Sequence, residues 1–478
     1  MSTSQVIAVD LDGTVTWTDT LHESVLALVG NKPIFLFILP FWFLKGIAYL
    51  KSKIAEHYSL DVTTIPYNLL FIDWLKEQKA KGKKIVLCTA ANERVAKAVA
   101  EHLGLFDYII ASNINTNLKS GSKRKSLEEK FGNKGYEYAG NSRADIKVWA
   151  GASNAIIVNA SKVVQMKASQ VAIVSYIFSS KRPNVSDWIT ALRLHQWLKN
   201  FLLFVPLLTA LQFDNIQSLS TLVIAFVSFS LCASSVYITN DLLDLESDRN
   251  HPRKKLRPFA SAKLPIALGV ALVPFLAGAS IWLASIVGGD FQVILILYLL
   301  LTVVYSFLLK RLVLVDCLTL ATLYTIRIIA GAAAVSISIS FWLLAFSVFI
   351  FLSLALVKRF AELVVQEQKG KNTVHGRGYL VSDASLLQTL GVSSGYISTL
   401  VIALYVHSDE VVSIYAQPKV IWLVLPIILF WISWVWLKAA RGEMHDDPII
   451  FAVKDKTSLL VAVFIAVVFL YAATGMIF

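Results

Sequence analysis

The 478-residue chain is 56% hydrophobic and 16% charged, with 44 Lys+Arg against 32 Asp+Glu, a net charge of +12 and a mean hydropathy of +0.63. A soluble globular protein carries about 25% charged residues, and a disordered chain is poor in the Phe, Tyr and Trp that are abundant here. Both classes are excluded, which leaves the membrane.

Cys88, Cys232 and Cys317 lie far apart, without C-x-x-C or Cys/His spacing. No disulfide framework or zinc site follows, and each reads as a small buried apolar side chain. The N-terminal MSTSQVIAVDLDGT has no basic segment leading into an apolar one. A cleaved signal peptide is not expected, and the N-terminus should stay cytoplasmic.

In chain order, residues 1–188 alternate short apolar runs with polar, helix-like stretches, the texture of a soluble α/β domain. VIAVDLDGT predicts a buried strand entering a tight acidic turn at Asp10-Leu11-Asp12-Gly13-Thr14. Two carboxylates two residues apart at a strand end suit a nucleophilic Asp beside a general-acid Asp around a divalent cation. A second strand, KKIVLCTAAN, leads to Thr89, SGSKRKSLEEKFG offers Lys123, and a third strand ends in YAGNSRADIKVW.

With these four motifs in order, residues 4–165 resemble the haloacid dehalogenase (HAD) phosphohydrolase superfamily, an α/β fold of Rossmann type. The resemblance implies Asp10 as nucleophile and Asp12 as general acid/base, with Thr89 and Lys123 holding the phosphoryl group. It implies Mg²⁺ at Asp10, Asp12, Asn141 and Asp145. The last motif departs from the family pattern, since Gly140-Asn141 stands where Gly-Asp is usual. One negative charge is lost there, which keeps open a non-catalytic, regulatory domain.

The insert after the first motif contains PIFLFILPFWFLKGIAYLK, too short to span a bilayer and interrupted by Pro40. It reads as a cap whose aromatic face rests on the membrane, or as a buried cap helix. The expected division is a HAD-like domain over 1–168, a linker over 169–187 and a membrane domain over 188–478.

Long apolar runs follow at 189–210, 219–239, 264–285, 291–309, 312–335, 341–357, 386–406, 420–437 and 458–477. Each can cross roughly 30 Å of hydrocarbon, which predicts an all-α polytopic domain of nine transmembrane helices. Lys and Arg gather after the second, fourth, sixth and eighth runs: Arg249, Arg253, Lys254, Lys255, Arg257 and Lys263; Lys310 and Arg311; Lys358, Arg359, Lys369, Lys371 and Arg377; Lys438, Arg441, Lys454 and Lys456. The alternate loops hold none, with Lys419 at the edge of the eighth run. Those even loops are therefore cytoplasmic and the C-terminus outside. The positive charge is topological and phosphate-facing, not a nucleic-acid footprint.

The second run ends in VYITNDLLDLESDRNHPRKKLRPFASAKL. On one continuous helix, at about 100° per residue, Asp241, Asp244 and Asp248 share an arc of about 60° and Glu246 points away. Such crowded carboxylates suit Mg²⁺ with a bound diphosphate. The plainer alternative is a solvated loop whose acids pair with Arg249, Arg253 and Arg257.

Asn240-Asp241-x-x-Asp244-x-x-x-Asp248 resembles the first aspartate-rich motif of the UbiA-type prenyltransferase superfamily, a nine-helix fold with its active site on the cytoplasmic side. The second motif should follow the fourth run, but YSFLLKRLVLVDCLTLATLYTIRIIAGAAA offers only Asp316, beside Tyr305 and Lys310, with Arg327 deeper on the same face. A buried Arg must be paired or functional, and pairing linked to Asp316 is the structural alternative.

With LRLHQWLKN (Arg193, His195, Gln196, Lys199, Asn200), LVKRFAEL and DDPIIFAVKD, the pattern resembles the decaprenyl-phosphate phosphoribosyltransferase branch. The resemblance implies an inner-membrane enzyme of cell-envelope biosynthesis. It would use phosphoribosyl diphosphate as donor and a polyprenyl phosphate as acceptor. Mg²⁺ on Asp241, Asp244 and Asp248 would take the diphosphate, with Asp316 also in the catalytic set. Asn240, Lys310 and Tyr305 are donor-binding candidates. Arg193, Lys199, Arg257, Arg327, Lys358, Arg359 and Arg377 are available for the remaining phosphates. Lys358 and Glu362, four apart, could instead pair on a helix. The HAD-like domain would then remove the 5-phosphate of the product. Aromatic prenyl transfer from a prenyl diphosphate is the alternative, which the lone Asp316 disfavours.

Overall fold

The computed structural model describes residues 5–179, 183–211, 215–368, 370, 378–444 and 447–475. These residues gather into two compact units, Met1–Leu192 with Tyr237–Val273, and Arg193–Val236 with Pro274–Phe478. Lys369, Lys371 and Arg377 lie outside the described residues.

In the first unit, β1 (Val6–Val9), β2 (Lys84–Asn92), β3 (Tyr108–Ser112), β4 (Glu137–Gly140), β5 (Asn154–Val158) and β6 (Ile173–Phe178) form one sheet. Its order is β3-β2-β1-β4-β5-β6, and every pair is parallel. Side chains alternate between the faces of a strand. Ile7, Val9, Leu87 and Ile156 accordingly pack with Phe71, Leu75 and Val99. Ala8, Val86, Cys88 and Ile157 pack with Leu127, Trp149 and Val164.

The helices of this unit are α1 (Thr20–Asn31), α2 (Phe35–Leu44), α3 (Ile47–His57), α4 (Leu69–Ala80), α5 (Glu93–Leu103), α6 (Gly121–Phe131), α7 (Ile146–Trp149), α8 (Lys162–Val171) and α9 (Val185–Leu192). The stretch 169–187, expected as a linker, holds β6. Its IVSYIF run is rich in β-formers and pairs with β5. The cap insert is neither wholly buried nor wholly exposed: Phe35 packs with Leu28, Leu50 and Ile54, while Phe37, Phe41 and Leu44 are exposed.

The second unit is helical. The first apolar run is not one helix, because it is divided among α9, a 3-10 segment over Leu194–Phe204 and α10 (Val205–Thr209). Arg193 sits between the first two with φ +51°, a left-handed turn that ends a helix. Eight helices among the described residues are long and apolar enough to cross a membrane, against nine expected. They follow from α11 (Ile216–Leu243) through α13 (Ile266–Val287), α14 (Gly289–Phe307), α15 (Val315–Ala334), α16 (Phe341–Gln368), α17 (Ala384–Tyr405) and α19 (Val424–Ala440) to α21 (Lys456–Thr474). The short α12 (Leu245–Asn250), α18 (Asp409–Ile414) and α20 (Pro448–Lys454) lie between them. A Cβ on Gly331 of α15 would lie 2.0 Å from the Leu203 carbonyl oxygen, so glycine lets the 3-10 segment lie directly against α15.

Candidate active sites

In the sheet, β1 lies between β2 and β4, the point where chain order reverses and the carboxyl ends of the strands open a crevice. Asp10 closes β1, its Oδ1 accepting from Leu11 N–H at 2.9 Å and facing Lys123 Nζ at 3.0 Å. Burial pushes the Asp10 carboxyl up to about 6, against the pull of Lys123. Asp12 accepts from Thr20 N–H at 2.8 Å, and burial together with the charge of Asp19 pushes it up to about 7. A carboxyl shifted this way retains a proton to donate near neutral pH.

Lys123 is buried and also donates to the Tyr138 hydroxyl at 2.9 Å, which in turn donates to Asp145 Oδ1 at 2.9 Å. Thr89 is buried beside them, its Oγ1 accepting from Ala91 N–H at 3.0 Å. Gly13 has φ +72°, and a Cβ there would strike Asn141 Nδ2 at 1.9 Å, so the acidic turn needs glycine to let Asn141 lie against it. The four motifs thus meet. Asp145, however, is heavily engaged: its Oδ2 accepts from Asn141 N–H, Ser142 N–H and Ser142 Oγ at 3.2, 2.9 and 2.8 Å.

The aspartate-rich segment belongs to the same unit. The helix breaks at Asp244, between α11 and α12, so the three aspartates do not share one continuous helical face. Asp241 and Asp248 still converge, both taking Arg257 Nη1, at 3.0 and 2.6 Å. Asp244 stands at the N-cap position of α12, and its side chain makes no capping hydrogen bond there. Glu246 points away as expected and accepts from Tyr58 OH at 2.6 Å. Arg257 takes the pairing role that the plainer alternative gave to three arginines, but Arg249 goes to Glu23, not to the aspartates.

Asp241 and Asp248 are both nearly fully buried, and Asp248 Oδ1 has no hydrogen-bond partner. Among the described residues no group of three carboxylate, imidazole or thiol side chains gathers as a metal cage. A carboxylate pair with an orphaned oxygen fits a hard divalent cation that completes its shell with phosphate oxygens and water.

In the second unit, Lys199 and Lys358 converge on Asp447 Oδ2 at 2.8 and 3.1 Å, and Tyr324 OH donates to Asp447 Oδ1 at 3.0 Å. Burial alone would raise the Asp447 carboxyl, but Lys358 and Lys199 outweigh it and hold it well below its usual range. Lys358 reaches Asp447, while Glu362 accepts from Arg359 at 2.7 Å.

Asp316 is completely buried, accepting from Arg359 Nε at 2.5 Å and from the Tyr379 hydroxyl. Arg359 continues to the Tyr305 hydroxyl at 3.1 Å. Arg327 is not paired with Asp316. Its Nε donates to Asn200 Oδ1 at 2.9 Å, Nη2 to Tyr298 OH at 2.8 Å and Nη1 to Leu323 O, with its guanidinium stacked among Phe229, Tyr298 and Tyr324.

Arg193 occupies the left-handed turn. Asn240 lies on α11, and Lys310 lies in the 3-10 turn Leu309–Arg311. Sequence reasoning missed Asp447, Tyr324, Tyr379 and Tyr138. Asp447 sat in the quoted DDPIIFAVKD, where an Asp-Pro pair at a helix start was a usable signal. It also missed Lys51 of α3, which donates to the Ala90 carbonyl at 2.5 Å beside Thr89.

The UbiA prenyltransferase family model matches residues 201–453, and the haloacid dehalogenase-like hydrolase model residues 7–148. The chain is 36% identical over 468 residues to the uncharacterized protein y4nM of Sinorhizobium fredii, covering 97% of this chain and 90% of the relative. It is 36% identical over 190 residues to a decaprenyl-phosphate phosphoribosyltransferase of Mycobacterium tuberculosis, covering 39% of this chain and 63% of the relative. Among solved structures, a UbiA homolog from Archaeoglobus fulgidus bound to GPP and Mg²⁺ is similar with a TM-score of 0.45 and 15% identity, over 60% of this chain and 100% of that one.

Proposed function

The chain belongs to the UbiA prenyltransferase family and carries a HAD-like domain, and from that premise we propose a bifunctional membrane enzyme. The membrane domain moves 5-phosphoribose from phosphoribosyl diphosphate to a polyprenyl phosphate, and the HAD-like domain removes the 5-phosphate of the product.

The observation that carries this reading is the state of Asp316. It is completely buried and engaged by Arg359 and Tyr379, whereas among the buried carboxylates of the described residues an oxygen of Asp248, next to Asp241, is left without a partner. Clamping a prenyl diphosphate between two aspartate sets requires two. The similarity to a decaprenyl-phosphate phosphoribosyltransferase supports the same choice.

In the transfer, an oxygen of the lipid phosphate attacks ribose C1 while the bond from C1 to the diphosphate oxygen breaks. The diphosphate leaves with the electron pair. Asp241 and Asp248 would hold Mg²⁺, which supplies charge neutralisation for that leaving group when bound. Arg257 stays between the two carboxylates. Within the second unit, Lys199 and Lys358, fixed by Asp447 and Tyr324, are cations with the chemistry to bind an anion such as a lipid phosphate. The attacking phosphate is already an anion, so no strong general base is needed.

In the HAD-like domain, Asp10 attacks the 5-phosphate and Asp12 protonates the departing ribose oxygen. Water then cleaves the aspartyl-phosphate, with Asp12 taking its proton. Lys123 and Thr89 hold the phosphoryl oxygens, and Asn141 with Asp145 would complete a Mg²⁺ shell. A second reading, a domain that binds phosphoesters without hydrolysis, draws on the saturation of Asp145 and the presence of Asn141.

Purified protein given labelled phosphoribosyl diphosphate, polyprenyl phosphate and Mg²⁺ tests both halves. Labelled lipid lacking its 5-phosphate is expected. Lipid that keeps this phosphate favours the second reading, and transfer from a prenyl diphosphate instead refutes the transferase assignment.

A further inference from the structure

Successive side chains of α12 face different ways. Asp248 turns to Arg257, whereas Arg249 and Glu246 turn to the HAD-like fold within the same unit. Arg249 Nη2 and Nη1 donate to the two carboxylate oxygens of Glu23 at 2.6 and 3.1 Å, and Nε donates to the Ala260 carbonyl at 2.9 Å. Both side chains are more than nine-tenths buried. Tyr58, just beyond α3, adds its bond to Glu246. α1 runs close to the end of α11, where a Cβ on Gly30 would sit 3.2 Å from the Leu243 carbonyl oxygen.

Glu23 lies on α1 one turn after Thr20, whose N–H binds Asp12. The same helix therefore starts at the acidic turn of the HAD-like site and holds the aspartate-rich segment along its side. A buried ion pair is weak evidence for stability, because desolvation offsets its attraction. What a planar, two-point guanidinium–carboxylate contact does supply is a fixed distance and angle. That angle sets α12, and hence where Asp248 stands.

We propose that Glu23, a residue of the HAD-like domain, is a positioning residue for the transferase, holding Asp248 in register through Arg249. The soluble domain then forms part of the working transferase whether or not it hydrolyses anything. The proposal rests on the transferase reading of the aspartate segment.

The test uses full-length protein in nanodiscs, comparing wild type, Glu23→Gln, Arg249→Glu and the exchange Glu23→Arg with Arg249→Glu. Two quantities are read: phosphoribosyl transfer to polyprenyl phosphate, and amide hydrogen exchange over 241–257 with β1 and β2 as the folding control. Glu23→Gln and Arg249→Glu should each lower transferase kcat/KM by about 10-fold or more and speed exchange over 241–257, with the strands unchanged, as expected when one partner of a buried pair is lost. The exchange of charges should bring transfer back to within about 3-fold of wild type. Transfer within about 2-fold of wild type in Glu23→Gln, or unaltered exchange over 241–257, overturns the proposal. So does failure of the charge exchange to rescue while the strands stay protected. If wild type transfers no phosphoribose yet 241–257 loosens in Glu23→Gln, the proposed reaction fails and the positioning contact stands.

Discussion

In the aspartate segment one arginine serves two buried carboxylates, and an oxygen of Asp248 is left without a partner. Around Asp447 the ratio is inverted, with one carboxylate serving two lysines and a tyrosine hydroxyl. Two unit charges about 4 Å apart interact by about 4 kcal/mol near a protein surface, so a surplus charge in a buried cluster is a strong electrostatic demand. The first cluster calls for a cation and the second for an anion. The proposed transfer involves both kinds of charge, a diphosphate leaving group and an anionic lipid phosphate.

The comparison can be separated from the proposed phosphatase activity first, where the largest effect is expected. Asp10→Asn should lower 5-phosphate removal by at least about 10³-fold, as loss of a nucleophile does, and mass spectrometry of the lipid product should show the phosphate retained. Transfer itself should continue.

Asp248→Asn tests the acidic cluster. Transferase kcat should fall by about 10²-fold or more, because stabilisation of the leaving group is lost. A much smaller loss would mean that Asp248 only anchors Arg257. Asp447→Asn sharpens the other side. It frees two lysines from their common anchor, and the KM for polyprenyl phosphate should rise by about 10-fold while the donor KM changes little. A change confined to the donor would reverse the roles assigned to the two clusters.

The smallest effect belongs to Glu362→Gln. Its carboxylate is about a third exposed, and Arg359 keeps Asp316 and Tyr305. Partly exposed pairs contribute about 1 kcal/mol or less, so thermal unfolding should move by only a few degrees.

Local patterns were readable where covalent order and geometry coincide. The Asp10-to-Thr14 turn and Asn141 follow strands, Thr89 lies in the carboxyl half of β2 and Lys123 in the first turn of α6, and a parallel sheet brings strand ends together by necessity. Spans were readable from apolar length, except the first, where the left-handed Arg193 breaks a run that composition alone cannot interrupt. The three-aspartate face was overestimated because helical angles assume that the helix continues, and it ends at Leu243. Partners across long separations were not readable. Asp447 lies 248 residues from Lys199, and Glu23 lies 226 from Arg249.

The amino-acid order by itself determined the two kinds of domain, the membrane segments and the acidic motif, because periodicity, hydrophobic length and charge are properties of neighbouring residues. Tertiary structure decided which acids have a spare oxygen. Asp316 and Asp248 are the same residue type, each next to a basic stretch, yet one is saturated by Arg359 and Tyr379 and the other is not. That difference depends on which helices meet. Burial then makes it matter, since a carboxylate oxygen removed from water must find a proton donor, a cation or a ligand.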